Sequence, residues 1–145
     1  MHFEDWVKKI HNNVNIPDKE WGKSLTYLAF DEMDKLIGLL SVRYDLPREK
    51  VMKFGHIGYG VRPSERRKGY ATIMLNLALE KCDELGLENV LVTCKEENIG
   101  SAKTIENNCG VLREVIFDSQ ENCNFKKYWI NIKEALNKKD EIRRR

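Results

Sequence analysis

Apolar and polar positions alternate with a period of two over parts of this chain and recur at helical spacing over others. Ile57, Tyr59 and Val61 alternate, which predicts a strand. Pro63 ends it, because proline has no ladder donor and fixes its own φ. From Tyr70 the apolar residues recur through Ile73, Met74, Leu77, Ala78, Cys82 and Leu85 at the spacing of a helix, which Gly86 stops. Upstream, residues 25–30 predict a strand, 31–35 a turn and 36–44 the second arm of a hairpin. Residues 90–94 form a short apolar run of buried-strand length, and a strand, a crossover helix and a second strand imply two parallel strands. Asn98 is the expected N-cap of a helix running through Ala102 and Ile105 to about Asn108, with Gly110 as its stop. Residues 111–117 and 128–132 alternate as a closing hairpin.

The flanks are less regular. Residues 3–11 predict a short helix burying Phe3, Val7 and Ile10, with Trp6 beside them. Asn12 and Asn13 break that pattern, and Pro17 opens a second short helix reaching Trp21. Residues 1–24 therefore read as a variable helical segment, residues 45–53 as a loop around Pro47, and residues 133–145 as a partly helical basic tail. Nothing suggests a repeat or a second domain, so residues 1–145 are expected to form one domain.

Between the central strand and the long helix lies Arg66-Arg67-Lys68-Gly69-Tyr70-Ala71, which sets three cations and a glycine at a helix N-terminus. Unpaired N–H groups and the positive end of the helix dipole favour an anion there, so the turn reads as a phosphate-binding design. It is not the nucleotide loop G-x-x-x-x-G-K-S/T, which occurs nowhere near it. Nor is it the dinucleotide fingerprint G-x-G-x-x-G, because Gly58 and Gly60 fall inside the strand and Pro63 stands where the third glycine belongs.

The turn fits R/Q-x-x-G-x-G/A preceded by Val61-Arg62-Pro63, and so resembles the pyrophosphate loop of the GNAT family of acyl-CoA N-acyltransferases. The order of elements over residues 25–132 is similar too, as is the pair Asn98 and Ser101 at the start of the second main helix. The resemblance implies an α/β fold with a mixed, twisted sheet, flanking helices and two central parallel strands that splay apart around the pantetheine arm. The glycines Gly55, Gly58 and Gly60 suit so close a backbone approach. It implies acetyl-CoA as co-substrate, held by Gly60, Val61, Arg66, Arg67, Lys68, Gly69, Tyr70, Ala71, Thr72, Asn98 and Ser101. It also implies acetyl transfer by direct attack of a primary amine, on a small molecule or on a peptide or protein.

This chain departs from the family pattern twice. The family's first strand has no clear counterpart in residues 1–24, so the chain lacks it or borrows an edge from a second copy, as a homodimer would allow. The tyrosine that many members place seven residues after the asparagine, to protonate the leaving thiolate, is Ile105 here. A CoA thiolate resembling a free thiol, with a pKa of about 8.5, can leave without full protonation. Backbone N–H groups around Tyr59 to Val61 are expected to polarise the thioester carbonyl. A lysine-like amine of pKa about 10.4 pays about 4.6 kcal/mol to become neutral at pH 7. His56 has the chemistry of a base for that step. Bases in the family fall near this end of the strand on the alternate-residue set that here contains Gly55 and Ile57, so the resemblance implies that His56 faces the other way unless a bulge shifts the register. Glu96, Glu97 and Tyr59, working through water, are the other candidates. Each has an ordinary alternative: a packed histidine, solvated loop charges, a strand tyrosine.

Composition narrows the remaining classes. The formal net charge of +2 is too small for a dedicated nucleic-acid binder, and Tyr70 alone makes no base-stacking array. The terminal Arg143-Arg144-Arg145 reads as a solvated tail. No apolar run is long enough to span a membrane, and the first residues do not have the form of a signal peptide. Four cysteines without a C-x-x-C pair, and three scattered histidines, suggest reduced thiols in a cytoplasmic setting with no metal site. The alternative from another class is a GNAT-like module that binds acetyl-CoA as a sensor or interaction subunit without catalysis.

Overall fold

Two half-sheets, joined at one point, make the frame. The computed structural model describes residues 10–14 and 23–143. In chain order the strands are β1 (Ile10–Val14), β2 (Lys23–Phe30), β3 (Leu36–Asp45), β4 (Ile57–Val61), β5 (Asn89–Lys95), β6 (Val111–Asp118) and β7 (Cys123–Asn131). The helices are α1 (Arg48–Phe54), α2 (Tyr70–Glu84), α3 (Ile99–Asn107), α4 (Ile132–Asn137) and α5 (Lys139–Arg143). One antiparallel sheet has the order β1-β2-β3-β4 and the other β5-β7-β6.

The expected hairpins, central strand and long helix all form, and three expectations are corrected. Residues 10–14 form a strand, pairing Asn12 with Tyr27 and Asn13 with Thr26, so the family's first strand does have a counterpart. Backbone pairing along β2 overrides the weak strand propensity of two asparagines. The expected helices at 3–11 and 17–21 otherwise fall outside the described residues. Within residues 45–53, expected as loop, α1 starts directly after Pro47 and runs on to Phe54, with Glu49 in its first turn and Lys53 in its last, as the helix dipole favours. The third correction concerns the end of α3, where Cys109, not Gly110, takes the left-handed conformation at φ +68°. Cys109 N–H bonds to the Glu106 carbonyl and Gly110 N–H to that of Ile105, the pairing of a Schellman stop. Gly110 is needed for space, since a Cβ there would lie 2.4 Å from Ile105 Cγ2.

α2 is the wedge of the fold. Met74, Leu75, Ala78, Leu79 and Cys82 are fully buried against β3, β4, α3, α4 and α5. Each large apolar side chain so placed contributes about 1.5–3 kcal/mol relative to exposure. Behind the wedge, Asn76 Nδ2 donates to Asn108 Oδ1 (3.0 Å), and Asn108 Nδ2 donates to the carbonyls of Thr72 (3.0 Å) and Thr104 (3.1 Å). Arg143 Nε completes the set on Asn76 Oδ1 at 2.8 Å. Both asparagines are fully buried, so breaking one of these bonds strands a polar group in the core. The network fixes α3 against α2, and the N-termini of those two helices flank the cleft described next.

Candidate active site

β4 and β5 meet at the start of β4 and then separate. His56 N–H donates to the Leu91 carbonyl (2.7 Å), and Leu91 N–H donates to His56 Nδ1 (2.9 Å). Further along, Tyr59 in the middle of β4 reaches Ser101, which follows β5. The two contacts come in the same order along both segments, so the strands advance in the same direction while belonging to different sheets. The Arg62 amide bonds back to the Ile37 carbonyl of the β3 side. By the alternation of an antiparallel ladder, the N–H groups of Tyr59 and Val61 therefore point away from β3, into the gap.

Beyond Val61 the chain turns through Pro63–Glu65 into the basic stretch. Glu65 is nearly buried and takes an ion pair from Lys35, in the β2–β3 turn, and another from Lys68 at 2.8 Å. The hydrogen bond from Lys35, then that from Lys68, pull its carboxyl down to about 2. Glu65 in turn raises the Lys68 ammonium above its ordinary value. Arg66 Nε donates to the Val61 carbonyl at 3.1 Å, folding the turn back on the strand end. Arg67 and Gly69 both lie in the left-handed region, at φ +64° and +84°. Gly69 then starts α2 with no side-chain cap, so the leading amides of Ala71 and Thr72 have no capping oxygen. Across the gap α3 starts differently, with Asn98 Oδ1 accepting from Ser101 N–H at 3.0 Å.

These elements enclose a cleft of about 520 Å³. Its walls bring together Gly60, Val61, Arg66, Arg67, Gly69, Tyr70, Ala71, Thr72, Asn98 and Ser101 of the residues expected from sequence. Lys68, also expected there, does not line the cleft and is tied to Glu65, and Tyr59, Glu65, Gly100 and Thr104 complete the lining. Space opposite Gly60 is open: a Cβ there would meet no atom within 4 Å. The close approach belongs instead to Gly38, whose Cβ would collide with the Gly60 carbonyl. An extended chain with an anionic end fits this lining, because bare backbone and an uncapped helix terminus share one wall. A divalent metal does not, since no group of metal ligands occurs among the described residues.

The four candidate catalytic residues separate. Tyr59 faces the cleft, its hydroxyl 2.8 Å from Ser101 Oγ. Burial pushes its phenol up to about 12, against the opposing pull of the Ser101 hydrogen bond. His56 lies at the junction, half-buried, edge-on to Trp129 with ring centroids 6.3 Å apart. Burial, then the Arg43 guanidinium, lower its basicity. Glu96 and Glu97 are exposed outside the cleft, and Glu96 accepts from Asn124 Nδ2 at 3.3 Å. Cys94 is buried, and that burial raises its thiol while Lys126 and Ser101 pull it the other way. Sequence reasoning missed Glu65 and Lys35. A buried acid between two lysines has no local signal when one lysine lies 30 positions away.

On the outer side, α1 and the β6–β7 turn approach one another. Lys53 Nζ donates to Gln120 Oε1 at 3.3 Å, and Lys127 Nζ donates to the Met52 carbonyl. No helix among the described residues is long and apolar enough to cross a membrane.

Known proteins share this architecture. A variant of spermidine N-acetyltransferase from Vibrio cholerae superposes with a TM-score of 0.63 at 19% identity, covering 83% of this chain and 71% of that one. The dodecameric form of the same enzyme gives 0.63 and 19%, covering 83% and 70%. A chimera of that enzyme with hSSAT gives 0.62 and 21%, covering 83% and 72%. Identity this low makes these likenesses of fold. No curated protein sequence matches the chain. The model of the acetyltransferase (GNAT) domain, however, matches residues 2–109, which hold β4, the basic turn, α2 and the capped start of α3; the chain belongs to the GNAT family of acetyltransferases.

Proposed function

We propose that the chain, acting as one domain over residues 1–145, transfers the acetyl group of acetyl-CoA to a primary amine by direct attack. The observation that carries this reading is the start of α2: a left-handed glycine, no side-chain cap, and leading amides on the wall of a cleft where two strands part. Acetyl-CoA supplies the acyl thioester. Its diphosphate would be held by the amides of Gly69 to Thr72 together with Arg66 and Arg67. Lys68, spent on Glu65, supports the turn and contributes to the local positive field. The pantetheine arm would run past Gly60 and Val61 toward Asn98 and Ser101. The N–H groups of Tyr59 and Val61 are turned so that they can donate to the thioester oxygen as it gains charge.

Tyr59 fits the proton-donor side of the reaction and not the base. A phenol near 12 is protonated at neutral pH, and full transfer to a thiolate of pKa about 8.5 is uphill by about 5 kcal/mol. It therefore stabilises the leaving sulfur as a hydrogen-bond donor, with Ser101 holding its hydroxyl. This does the work that the position of Ile105, fully buried, cannot do here. Glu65 is too acidic to serve as base, and Glu96 and Glu97 lie outside the cleft. The amine accordingly loses its proton to water on the way in, and the rate should climb about tenfold per pH unit below the amine's pKa. A rate already level from about pH 6.5 upward would instead call for an imidazole base, since burial and Arg43 lower the basicity of His56.

The acceptor would enter between α1 and the β6–β7 turn. The neighbours' spermidine makes polyamines the first acceptors to try, followed by amino acids and peptides. The test is thiol release from acetyl-CoA across that panel, with the acetylated amine identified by mass. A second reading, a non-catalytic acetyl-CoA sensor, is favoured by Ile105 and by the lack of a base among the described cleft residues. Binding of acetyl-CoA with no thiol released for any amine selects it.

A further inference from the structure

We propose that His56 is a positioning residue: its neutral imidazole pins β4 to β5 at the point where the two half-sheets part, and it takes no proton from the acceptor. The inference rests on the reading of the gap beyond it as the thioester site.

At this junction His56 replaces a ladder residue. Its backbone N–H bonds to the Leu91 carbonyl and its Nδ1 accepts from the Leu91 N–H, so both polar groups of one fully buried β5 residue are satisfied by one residue. On the other side its carbonyl accepts from Arg43 N–H of β3 at 2.7 Å. N–H and carbonyl therefore face opposite sheets, which a regular strand residue does not do. The preceding Gly55 permits this with φ +79°, where a Cβ would also lie 2.7 Å from the Leu91 carbonyl oxygen.

The bond fixes the tautomer. A ring nitrogen that accepts from an amide carries no proton, so in the neutral ring the proton is on Nε2. Neither nitrogen is then a free base: Nδ1 is occupied and Nε2 is already protonated. Protonating Nδ1 would turn two N–H groups against each other and orphan the Leu91 amide inside the core. The surroundings hold the ring neutral. From β3 the Arg43 guanidinium faces it, its Nη1 donating to the Phe54 and Gly55 carbonyls at 3.2 and 3.3 Å. From β7 the neighbour is the uncharged Trp129, and Lys127 of the same strand gives its ammonium to Met52. Tyr59 stands three residues beyond the pin, so the junction sets how far its hydroxyl lies from Ser101 and how wide the gap opens.

Two side chains separate pin from base. Asparagine places an amide oxygen close to where Nδ1 sits and can still accept from Leu91, whereas glutamine carries its oxygen one methylene too far. His56→Asn should keep kcat/KM for acetyl-CoA within about threefold of the parent, while His56→Gln and His56→Ala lose about 10–100-fold through misplacement of the gap. Equal losses of about 10²–10⁴-fold in kcat for all three would make His56 the base and overturn the proposal. Ring nitrogen resonances of 15N-histidine protein give a readout that needs no variant and no activity. They should show Nδ1 unprotonated and hydrogen-bonded, Nε2 protonated, and a ring that gains a second proton only below the ordinary imidazole range. A ring that titrates in step with the rate contradicts it. Because the spectrum is independent of turnover, failure of the pin and failure of the acetyltransferase reading are seen separately.

Discussion

The two helices that flank the cleft begin in opposite ways. α3 satisfies its own first turn, with the Asn98 side chain on the Ser101 amide. α2 starts from a glycine in the left-handed region and has no side-chain oxygen over its leading amides. A buried network through Asn76 and Asn108 ties the same two helices rigidly together. One terminus thus completes the protein and the other faces the cleft with donors to offer. The difference teaches that a helix terminus suits an anion when the chain withholds its own cap and when the cations beside it are braced from behind, as Glu65 braces Lys68.

The comparison is broken most severely at Gly69. Gly69→Val forces a branched residue into φ +84° and crowds the turn, so CoA binding should be lost while the cost in stability stays near 1–3 kcal/mol. Isothermal titration alongside thermal unfolding measures both, and CoA binding equal to the parent's would remove the turn from the cofactor site. A smaller effect is expected at Arg66. Removing its charge with Arg66→Ala should weaken CoA binding by about 1–3 kcal/mol, the worth of a charge-assisted hydrogen bond. An unchanged affinity would mean that the backbone alone holds the phosphates.

The capped terminus should answer differently. Asn98→Ala removes an N-cap and should cost about 1 kcal/mol of stability in the absence of any ligand. Chemical denaturation reads this directly, and no change in the midpoint would deny the cap its role. The smallest effect concerns the brace. Glu65 titrates well below its unfolded value, so its stabilisation is complete above about pH 4.5 and is lost as pH falls towards about 2. Glu65→Gln should flatten the unfolding midpoint in that window and lower it above pH 5. Identical acid limbs for parent and variant would contradict the brace.

Much of this was legible in the residues because it is local. The alternation of Ile57, Tyr59 and Val61, the stop at Pro63 and the helical spacing from Tyr70 each carry their own signal, and the spacing around Gly69 needs no tertiary information. What was illegible depends on partners distant in sequence. Asn12 and Asn13 read as breakers until β2 supplies a ladder. Lys35 is an unremarked turn lysine until it meets Glu65. His56 reads as a base on its intrinsic pKa, and only the Leu91 amide shows which nitrogen is engaged. α1 carried a local hint in Pro47, since proline suits a helix start, but its run of charges and lack of any buried residue concealed it.

The central claim is that the α2 terminus is the seat of the donor's diphosphate, and backbone amide resonances test it most directly. Uniformly 15N-labelled protein titrated with CoA should show its largest amide shifts at Gly69, Ala71 and Thr72. The Ser101 amide, already bonded to Asn98, should move less. Pantetheine, which lacks the diphosphate, should leave the α2 amides where they were. Equal shifts with both ligands, or CoA shifts confined to other parts of the chain, would contradict the account.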